Sequence, residues 1–341
     1  MKHIFEKTAI PLRAADAHTY GDAWPAGSHA GNNTGQEPVL KIEHLNISFR
    51  QYTEGMRQTQ LDVIRDLDVE VNAGEMVAVV GSSGSGKSLL AHAVLGILPY
   101  NASTGGKITY RGSELTQERI EKLRGSEIVM VPQSLAYLDP LVKIGKQIRK
   151  GRKDQKTIDK LKGIFRKYDL KEEVENLYPF ELSGGMNRRI LISTAFIEEP
   201  RLVIADEPTP GLDLKVAKRA MGHFRELADM GAGVLVITHD LELALETADR
   251  VAVFYAGCTV EEAASEDFRT EETLRHPYSK ALWRALPQHG FQFIEGVQPY
   301  VKEMPEGCPF SPRCHMCTEE CGGEIPYRRL RGGRVRCLYA K

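Results

Sequence analysis

A glycine-rich segment between a buried strand and a helix places the strongest constraint on the fold of this 341-residue chain. Residues 76–80 are continuously apolar, as in a central parallel strand that is covered on both faces. Residues 81–88 follow at once and read GSSGSGKS, and a helix is predicted over residues 87–97. Further buried strands and helices alternate down to residue 255, which predicts an α/β structure with a mostly parallel sheet.

The same glycine-rich segment has the pattern of a phosphate-binding loop. Its backbone N–H groups can surround phosphate oxygens, and the N-terminal end of the following helix adds positive potential. A lysine there can reach the β- and γ-phosphates, and a serine hydroxyl can ligate Mg²⁺. The residues predicted to bind ATP and Mg²⁺ here are Gly81, Ser82, Ser83, Gly84, Ser85, Gly86, Lys87 and Ser88.

Two later strands end in side chains that suit phosphate chemistry. Residues 202–205 form an apolar strand that runs into Asp206 and Glu207. Strand ends of a parallel sheet meet at the nucleotide crevice, so Asp206 would hold Mg²⁺ through water and Glu207 would act as general base toward the attacking water. His239 follows the strand at residues 234–238 and can hydrogen-bond to phosphate and water. These positions predict hydrolysis of the bound nucleotide.

Residues 182–186 read LSGGM, about a hundred residues beyond the phosphate loop. The pair of motifs resembles the ATP-binding cassette (ABC) family. The resemblance implies that Ser183, Gly184 and Gly185 receive the γ-phosphate of an ATP bound to a facing ATPase subunit, identical or paralogous. It also implies that His239 is the switch histidine.

Two more site residues come from the same resemblance. Gln133 matches the Q-loop glutamine, which contacts Mg²⁺ and the attacking water and counts as catalytic. Phe49 stands where the family has an aromatic residue that stacks on adenine, with Tyr52 as a substitute, although Phe49 could instead be a core residue.

Four further stretches resemble one subfamily, the ATPases of oligopeptide, dipeptide and nickel importers. They are Met186 in place of the usual Gln, LDP at residues 138–140, HPYSKAL at 276–282 and EGCPFSPRC at 306–314. The resemblance covers residues 39–341. It implies two integral membrane permease subunits as partners, an extracytoplasmic solute-binding protein upstream of them, and import of peptides or of nickel or a metal chelate.

The cysteines are concentrated near the C-terminus, apart from Cys258. Cys308, Cys314, Cys321 and Cys337 match the subfamily's four cysteines, which implies a [4Fe–4S] cluster. A tetrahedral Zn²⁺ site and a cluster of free thiols are the alternatives. Cys317 is an additional thiol.

The predicted architecture is a P-loop ABC ATPase core with an antiparallel β subdomain and an α-helical subdomain, plus a small Cys-rich C-terminal domain. Residues 1–38 are predicted to be a disordered extension, and residues 39–288 the nucleotide-binding domain, with its helical subdomain at about 134–190. Residues 289–341 would form the Cys-rich domain.

Charge and hydropathy limit the partners and the cellular location that this chain can have. The net charge of −1 gives no global basic field, so nucleic acid is not expected as a partner. No apolar run reaches the roughly 18 residues of a membrane helix, and no secretory signal is visible. We therefore expect a protein at the cytoplasmic face of the cell membrane, attached through its permease partners.

Three departures from the family pattern bear on partner and solute. Residues 187–189 read NRR where the family has RQR, and residues 210–213 read PGLD where it has TALD. The segment from 133 to 183 is short for a peptide importer. Its length favours nickel-type members of the subfamily. The main alternative function is a non-transport ABC ATPase attached to a soluble complex of the carbon–phosphorus lyase type.

Overall fold

The computed structural model describes residues 37–52 and 57–341. The predicted disordered extension at residues 1–38 therefore lies almost entirely outside the described residues. Within them, the first strand begins at Leu40.

Twelve strands and eight α-helices are present in the described part of the chain. The strands are β1 (Leu40–Tyr52), β2 (Gln58–Val71), β3 (Met76–Gly81), β4 (Ala102–Tyr110), β5 (Ser113–Glu114), β6 (Ile128–Val131), β7 (Leu202–Asp206), β8 (Gly233–Ile237), β9 (Arg250–Tyr255), β10 (Cys258–Ala264), β11 (Arg328–Leu330) and β12 (Gly333–Val335). The helices are α1 (Lys87–Val94), α2 (Gln117–Leu123), α3 (Ile144–Ile148), α4 (Gln155–Lys167), α5 (Gly184–Ile197), α6 (Leu214–Asp229), α7 (Leu241–Leu245) and α8 (Pro277–Arg284).

The central part of the sheet is parallel, in the order β9-β3-β8-β7-β6. These strands carry unbroken apolar runs because helices cover both faces, and β3, β7 and β8 are buried at every position. Their carboxyl ends meet at one edge, which brings the ends of β3, β7 and β8 together. The predicted parallel α/β core is confirmed.

An antiparallel arm adjoins this core. It is built from β5, β4, β1 and β2, with Leu40 opposite Val71 and Phe49 opposite Leu61. Strand β10 connects the arm to the core, since it pairs antiparallel with β9 and meets β2 at Cys258 and Asp66. The mixed sheet agrees with the antiparallel subdomain that the family resemblance implied.

Apolar side chains form two core clusters, one on each face of the parallel sheet. Along β3, Ala78 and Val80 belong to one cluster, whereas Val77 and Val79 belong to the other, as the two-residue period of a strand requires. Helices α5 and α6 contribute to the first cluster, and α1 contributes to the second.

The region between β6 and β7 is helical. Asp154 caps α4 by accepting a hydrogen bond from Thr157 N at 2.9 Å, and α4 buries Leu161, Ile164 and Phe165 against the first cluster. Helix α4 contacts α5, whose other neighbours include β6. Helix α5 thereby links α4 to β6, the strand that precedes Gln133.

The C-terminal segment, which comprises residues 276–341, joins the core sheet. Strand β12 forms a hairpin with β11 and pairs with β10, with Glu261 opposite Val335. A fully buried ion pair between Arg275 and Glu261, 3.2 Å apart, lies beneath this hairpin. The proposed division of the chain at residue 288 stays a prediction. In residues 37–52 and 57–341, no helix has the length and apolarity that a membrane crossing requires.

Candidate nucleotide site

The phosphate loop connects the carboxyl end of β3 to the first turn of α1. Gly86 precedes the helix with φ +92°, and a Cβ there would lie 2.1 Å from Ile64 Cδ1. A Cβ at Gly81 would lie 2.2 Å from the backbone oxygen of Phe254. Glycine is required at both positions because the loop turns sharply and lies directly on β2 and β9.

Lys87 lies inside the curve of this loop. Its Nζ donates to Gly81 O at 2.9 Å and to Ser82 O at 3.0 Å. The side chain is buried, and this desolvation lowers the pKa of its ammonium group, against the opposing charges of Glu207 and Asp206. An ammonium group held by backbone carbonyls in this way can exchange its hydrogen bonds to them for hydrogen bonds to phosphate oxygens.

Ser88 and Asp206 come together from different elements. Ser88 Oγ, on the first turn of α1, donates to Asp206 Oδ1 at the end of β7, at 3.1 Å. Burial raises the pKa of the Asp206 carboxyl, while the Ser88 hydrogen bond opposes the rise. Hydroxyl and carboxylate oxygens are the ligands that Mg²⁺ prefers, so the residues present fit this ion.

Glu207 and His239 form a second polar pair at the same sheet edge. Glu207 Oε2 lies 2.8 Å from His239 Nδ1. Glu207 adopts a left-handed backbone with φ +46°, and its N–H donates to Ile237 O at 2.9 Å. A non-glycine residue in that region is uncommon, and here it aims a buried carboxylate toward an exposed imidazole.

Gln133 has an exposed side chain, and it is the backbone around it that is tied down. Arg188, buried on α5, donates to Pro132 O at 3.2 Å and to Gln133 O at 2.8 Å. In the sequence, Arg188 stands out only as part of a departure from the family pattern. Its contact shows that this residue joins the helix of the LSGGM segment to the loop at Gln133.

The LSGGM segment begins α5. Ser183 caps the helix by accepting from Met186 N at 3.3 Å, and the side chain is exposed. A Cβ at Gly184 or Gly185 would meet no described atom within 4 Å. No hydrogen bond of Ser183 in the described parts of the chain reaches the phosphate loop. The segment thus presents free backbone N–H groups at an open helix end.

The two candidate adenine-stacking residues differ in burial. Phe49 is half-buried and packs against the second core cluster. Tyr52 leaves 70% of its surface exposed, and its hydroxyl accepts from Gln58 Nε2 at 3.0 Å. The role of either ring at adenine stays a prediction.

The four predicted ligand cysteines, Cys308, Cys314, Cys321 and Cys337, line one small cavity together with His276. All six cysteines carry free thiols, and Cys317 is exposed. Burial, together with the neighbouring thiols, raises the pKa of Cys308 to about 12. Residues far apart in the C-terminal sequence are thus gathered at one place.

His276 was not singled out as a site residue from the sequence. Its Nδ1 accepts from Tyr278 N at 3.0 Å, and burial lowers the pKa of the ring to about 3, so the proton lies on Nε2. Among the described residues, Nε2 has no hydrogen-bond partner although the ring is 1% exposed. An unpaired buried donor beside four thiols fits a sulfur ligand that carries negative charge.

Comparison with known proteins gives consistent matches along the chain. A family model described as "ABC transporter" matches residues 64–210, and one described as "Oligopeptide/dipeptide transporter, C-terminal region" matches residues 260–321. The oligopeptide transport ATP-binding protein OppD of Haemophilus influenzae is 34% identical, over 83% of this chain and 91% of that protein. OppD of Escherichia coli (strain K12) is 33% identical, over 89% and 93%.

A solved structure supports the fold. A dimeric ATP-binding cassette in a post-hydrolysis state with ADP and Pi superposes with a TM-score of 0.58 at 22% identity. The match covers 66% of this chain and 98% of that one.

Proposed function

Because this chain belongs to the family of ATP-hydrolysing subunits of ABC importers for oligopeptides and dipeptides, we propose that it drives peptide import through partner membrane subunits. The observation that carries the proposal is the sheet edge at which β3, β7 and β8 end. There the phosphate loop, the Ser88–Asp206 pair and the Glu207–His239 pair meet. The names of the relatives favour peptides over nickel or a metal chelate as the solute.

The geometry supports in-line hydrolysis of ATP. The loop N–H groups and Lys87 would hold the phosphates, and Ser88 and Asp206 would hold Mg²⁺, which neutralises charge on the phosphates. Glu207 would take a proton from the attacking water while the water oxygen forms a bond to the γ-phosphorus. The bond between that phosphorus and ADP would break in the same step. His239, 2.8 Å from Glu207, would orient that carboxylate and contact the γ-phosphate. Gln133 would contact the same Mg²⁺ and water.

A second ATPase subunit would complete the site. Ser183, Gly184 and Gly185 lie at an exposed helix N-terminus, which favours an anion and is open to a facing nucleotide. In this arrangement ATP joins two subunits and hydrolysis separates them. The Arg188 contact to Gln133 O would carry that movement to the loop at Gln133. This loop would face the membrane subunits.

The cysteine cavity would hold a [4Fe–4S] cluster, with Zn²⁺ as the alternative. Cys308, Cys314, Cys321 and Cys337 would be the ligands, and His276 Nε2 would donate to a ligand sulfur. When bound, the group would supply a crosslink to a segment that has little apolar core of its own.

Isolation of the native complex under mild detergent tests the proposed function. We expect the tagged chain to co-purify with polytopic membrane subunits, and peptides to stimulate ATP hydrolysis of the complex when its solute-binding protein is present. Nickel or a nickel chelate serves as the parallel ligand. Stimulation by nickel alone would replace peptide as the solute, and isolation only with soluble enzyme subunits would favour the carbon–phosphorus lyase type of complex.

A further inference from the structure

Two side chains of the C-terminal segment contact the first residue after β3 in the phosphate loop. The hydroxyl of Tyr278, on α8, accepts a hydrogen bond from Ser82 N at 3.2 Å. The side-chain oxygen of Gln298 accepts from Ser82 Oγ at 2.5 Å. Tyr278 is 1% exposed, so its contact is made inside the protein, whereas Gln298 is half-buried.

The peptide unit between Gly81 and Ser82 is held at both of its polar atoms. Its N–H donates to Tyr278, and its carbonyl oxygen accepts from Lys87 Nζ at 2.9 Å. This unit sets the direction in which the loop leaves the sheet. A rotation of the peptide would move the carbonyl that positions the lysine, so the two hydrogen bonds act on the same degree of freedom.

The ring of Tyr278 is itself fixed by packing. Its centroid lies 4.4 Å from that of Tyr255 and 5.4 Å from that of Phe310. Phe310 stands in the turn between Cys308 and Cys314, and it also packs edge-on against Tyr255 at 5.2 Å. A fully buried three-ring cluster leaves the hydroxyl little freedom to leave Ser82.

We infer that Tyr278 is a positioning residue for ATP binding, which orients the Gly81–Ser82 peptide from the C-terminal segment, with Gln298 supporting the same residue. The inference rests on the proposed ATP site. The contact gives a role at the ATP site to the HPYSKAL motif, which lies outside residues 64–210 that match the "ABC transporter" family model. Tyr278 does not touch the reacting atoms, since it acts through Ser82.

The test compares two phenylalanine substitutions in the same ring cluster. Tyr278→Phe removes the hydroxyl on Ser82, whereas Tyr255→Phe removes a hydroxyl whose partner is Arg313 Nη1 at 3.3 Å. Binding of mant-ATP with Mg²⁺ to the full chain is measured by fluorescence titration. We expect Tyr278→Phe to weaken binding about three- to tenfold, the range for loss of one buried hydrogen bond, and Tyr255→Phe to leave it unchanged.

Turnover of the assembled complex supplies a second readout. Because the lost contact would act on binding, KM for ATP should rise with Tyr278→Phe while kcat stays within about twofold of wild type. Equal affinity of Tyr278→Phe and wild type would overturn the inference, and so would the same loss in both variants. Failure of the wild-type chain to bind mant-ATP would instead remove the proposed function.

A surface variant covers the case in which Tyr278→Phe does not fold. Gln298→Ala removes the second contact to Ser82 from a half-buried position, and its folding is checked by the melting temperature. We expect it to weaken mant-ATP binding as well. Unchanged affinity in a folded Gln298→Ala protein, when Tyr278→Phe cannot be measured, would count against positioning of Ser82 by the C-terminal segment.

Discussion

Glu207 holds the most constrained position among the single residues of the site. Its left-handed backbone and its hydrogen bond to Ile237 O place the carboxylate beside His239. The cost of a strained backbone of this kind is about 1–3 kcal/mol, which the buried strands on either side can offset. Glutamine has the same shape and the same backbone preferences, so the carboxylate can be tested without altering the turn.

Glu207→Gln should lower kcat for ATP hydrolysis about 10²- to 10⁴-fold, because the amide cannot accept the proton of the attacking water. Binding of mant-ATP should persist, since the phosphate loop is unchanged. Glu266→Gln is the matched control, as Glu266 is exposed and pairs with Arg269 on the surface. Full turnover in Glu207→Gln would remove this residue from the role of general base.

Sequence motifs predicted most of the residues that the structure brings together at the candidate site, because loop glycines, a lysine and strand-end carboxylates follow local rules of backbone and charge. Local patterns did not predict that Arg188, His276 and Tyr278 belong to the site. Their partners are Gln133 O, the cysteine cavity and Ser82 N, and each contact depends on packing between distant segments. The HPYSKAL stretch at residues 276–282 was the only signal in the sequence for His276 and Tyr278.

At the scale of elements, a buried histidine within α6 and one that caps α8 couple folding to pH. His223 on α6 packs edge-on against Tyr168 at 4.6 Å, and burial, with the charges of Lys167 and Arg219, lowers the pKa of its ring to about 3. His276, at the start of α8, has a pKa of about 3 from burial alone. Both rings are neutral in the folded chain and become protonated on unfolding below about pH 6.5.

The free energy of unfolding should therefore fall on acidification from pH 7.5 to 5.0, by about 2 kcal/mol for each of these histidines. The sign follows from the lowered pKa, because the unfolded state binds the extra proton and the folded state does not until about pH 3. His223→Phe keeps a ring packed against Tyr168. It should remove the contribution of one histidine to the pH dependence of the free energy of unfolding. Urea unfolding at the two pH values measures the difference, and an identical pH dependence in the variant would contradict it.

Element boundaries were predictable where the apolar run was long. The predicted strand over 76–80 agrees closely with β3, and the helix predicted over 87–97 begins at the same residue as α1. Strand β1 extends from Leu40 to Tyr52, because pairing with both β2 and β4 supports its polar second half. Strand β4 was missed, since it contains Gly105 and Gly106 and is mostly exposed.

At the scale of the whole molecule, the C-terminal segment contacts the rest of the chain at several places. Strand β12 extends the sheet through β10, and the cysteine cavity adjoins α8 through His276. Ion pairs add to this attachment, since Arg336 contacts Asp66 at 2.7 Å and Asp68 at 3.2 Å on β2. The segment therefore connects the antiparallel arm, the phosphate loop and the cysteines.

Anaerobically purified protein should contain about four iron atoms per chain and absorb visible light, or else contain about one zinc ion. Cys308→Ser should lose the metal, because it removes one of four ligands. Cys317→Ser is the matched control, since that thiol is exposed and does not line the cavity. Elemental analysis decides, and a metal-free wild-type chain with a stably folded C-terminal segment would refute both forms of the site.

The sequence by itself determined the parallel α/β core, the phosphate loop and the family, because buried strands, glycine turns and helix starts are local consequences of residue type and spacing. Only the tertiary structure decided which distant groups act together. Ser88 meets Asp206 across 118 residues, and Tyr278 meets Ser82 across 196. The physical reason is that such contacts depend on how the sheet orders its strands and on which side chains the core then buries, which no local pattern records.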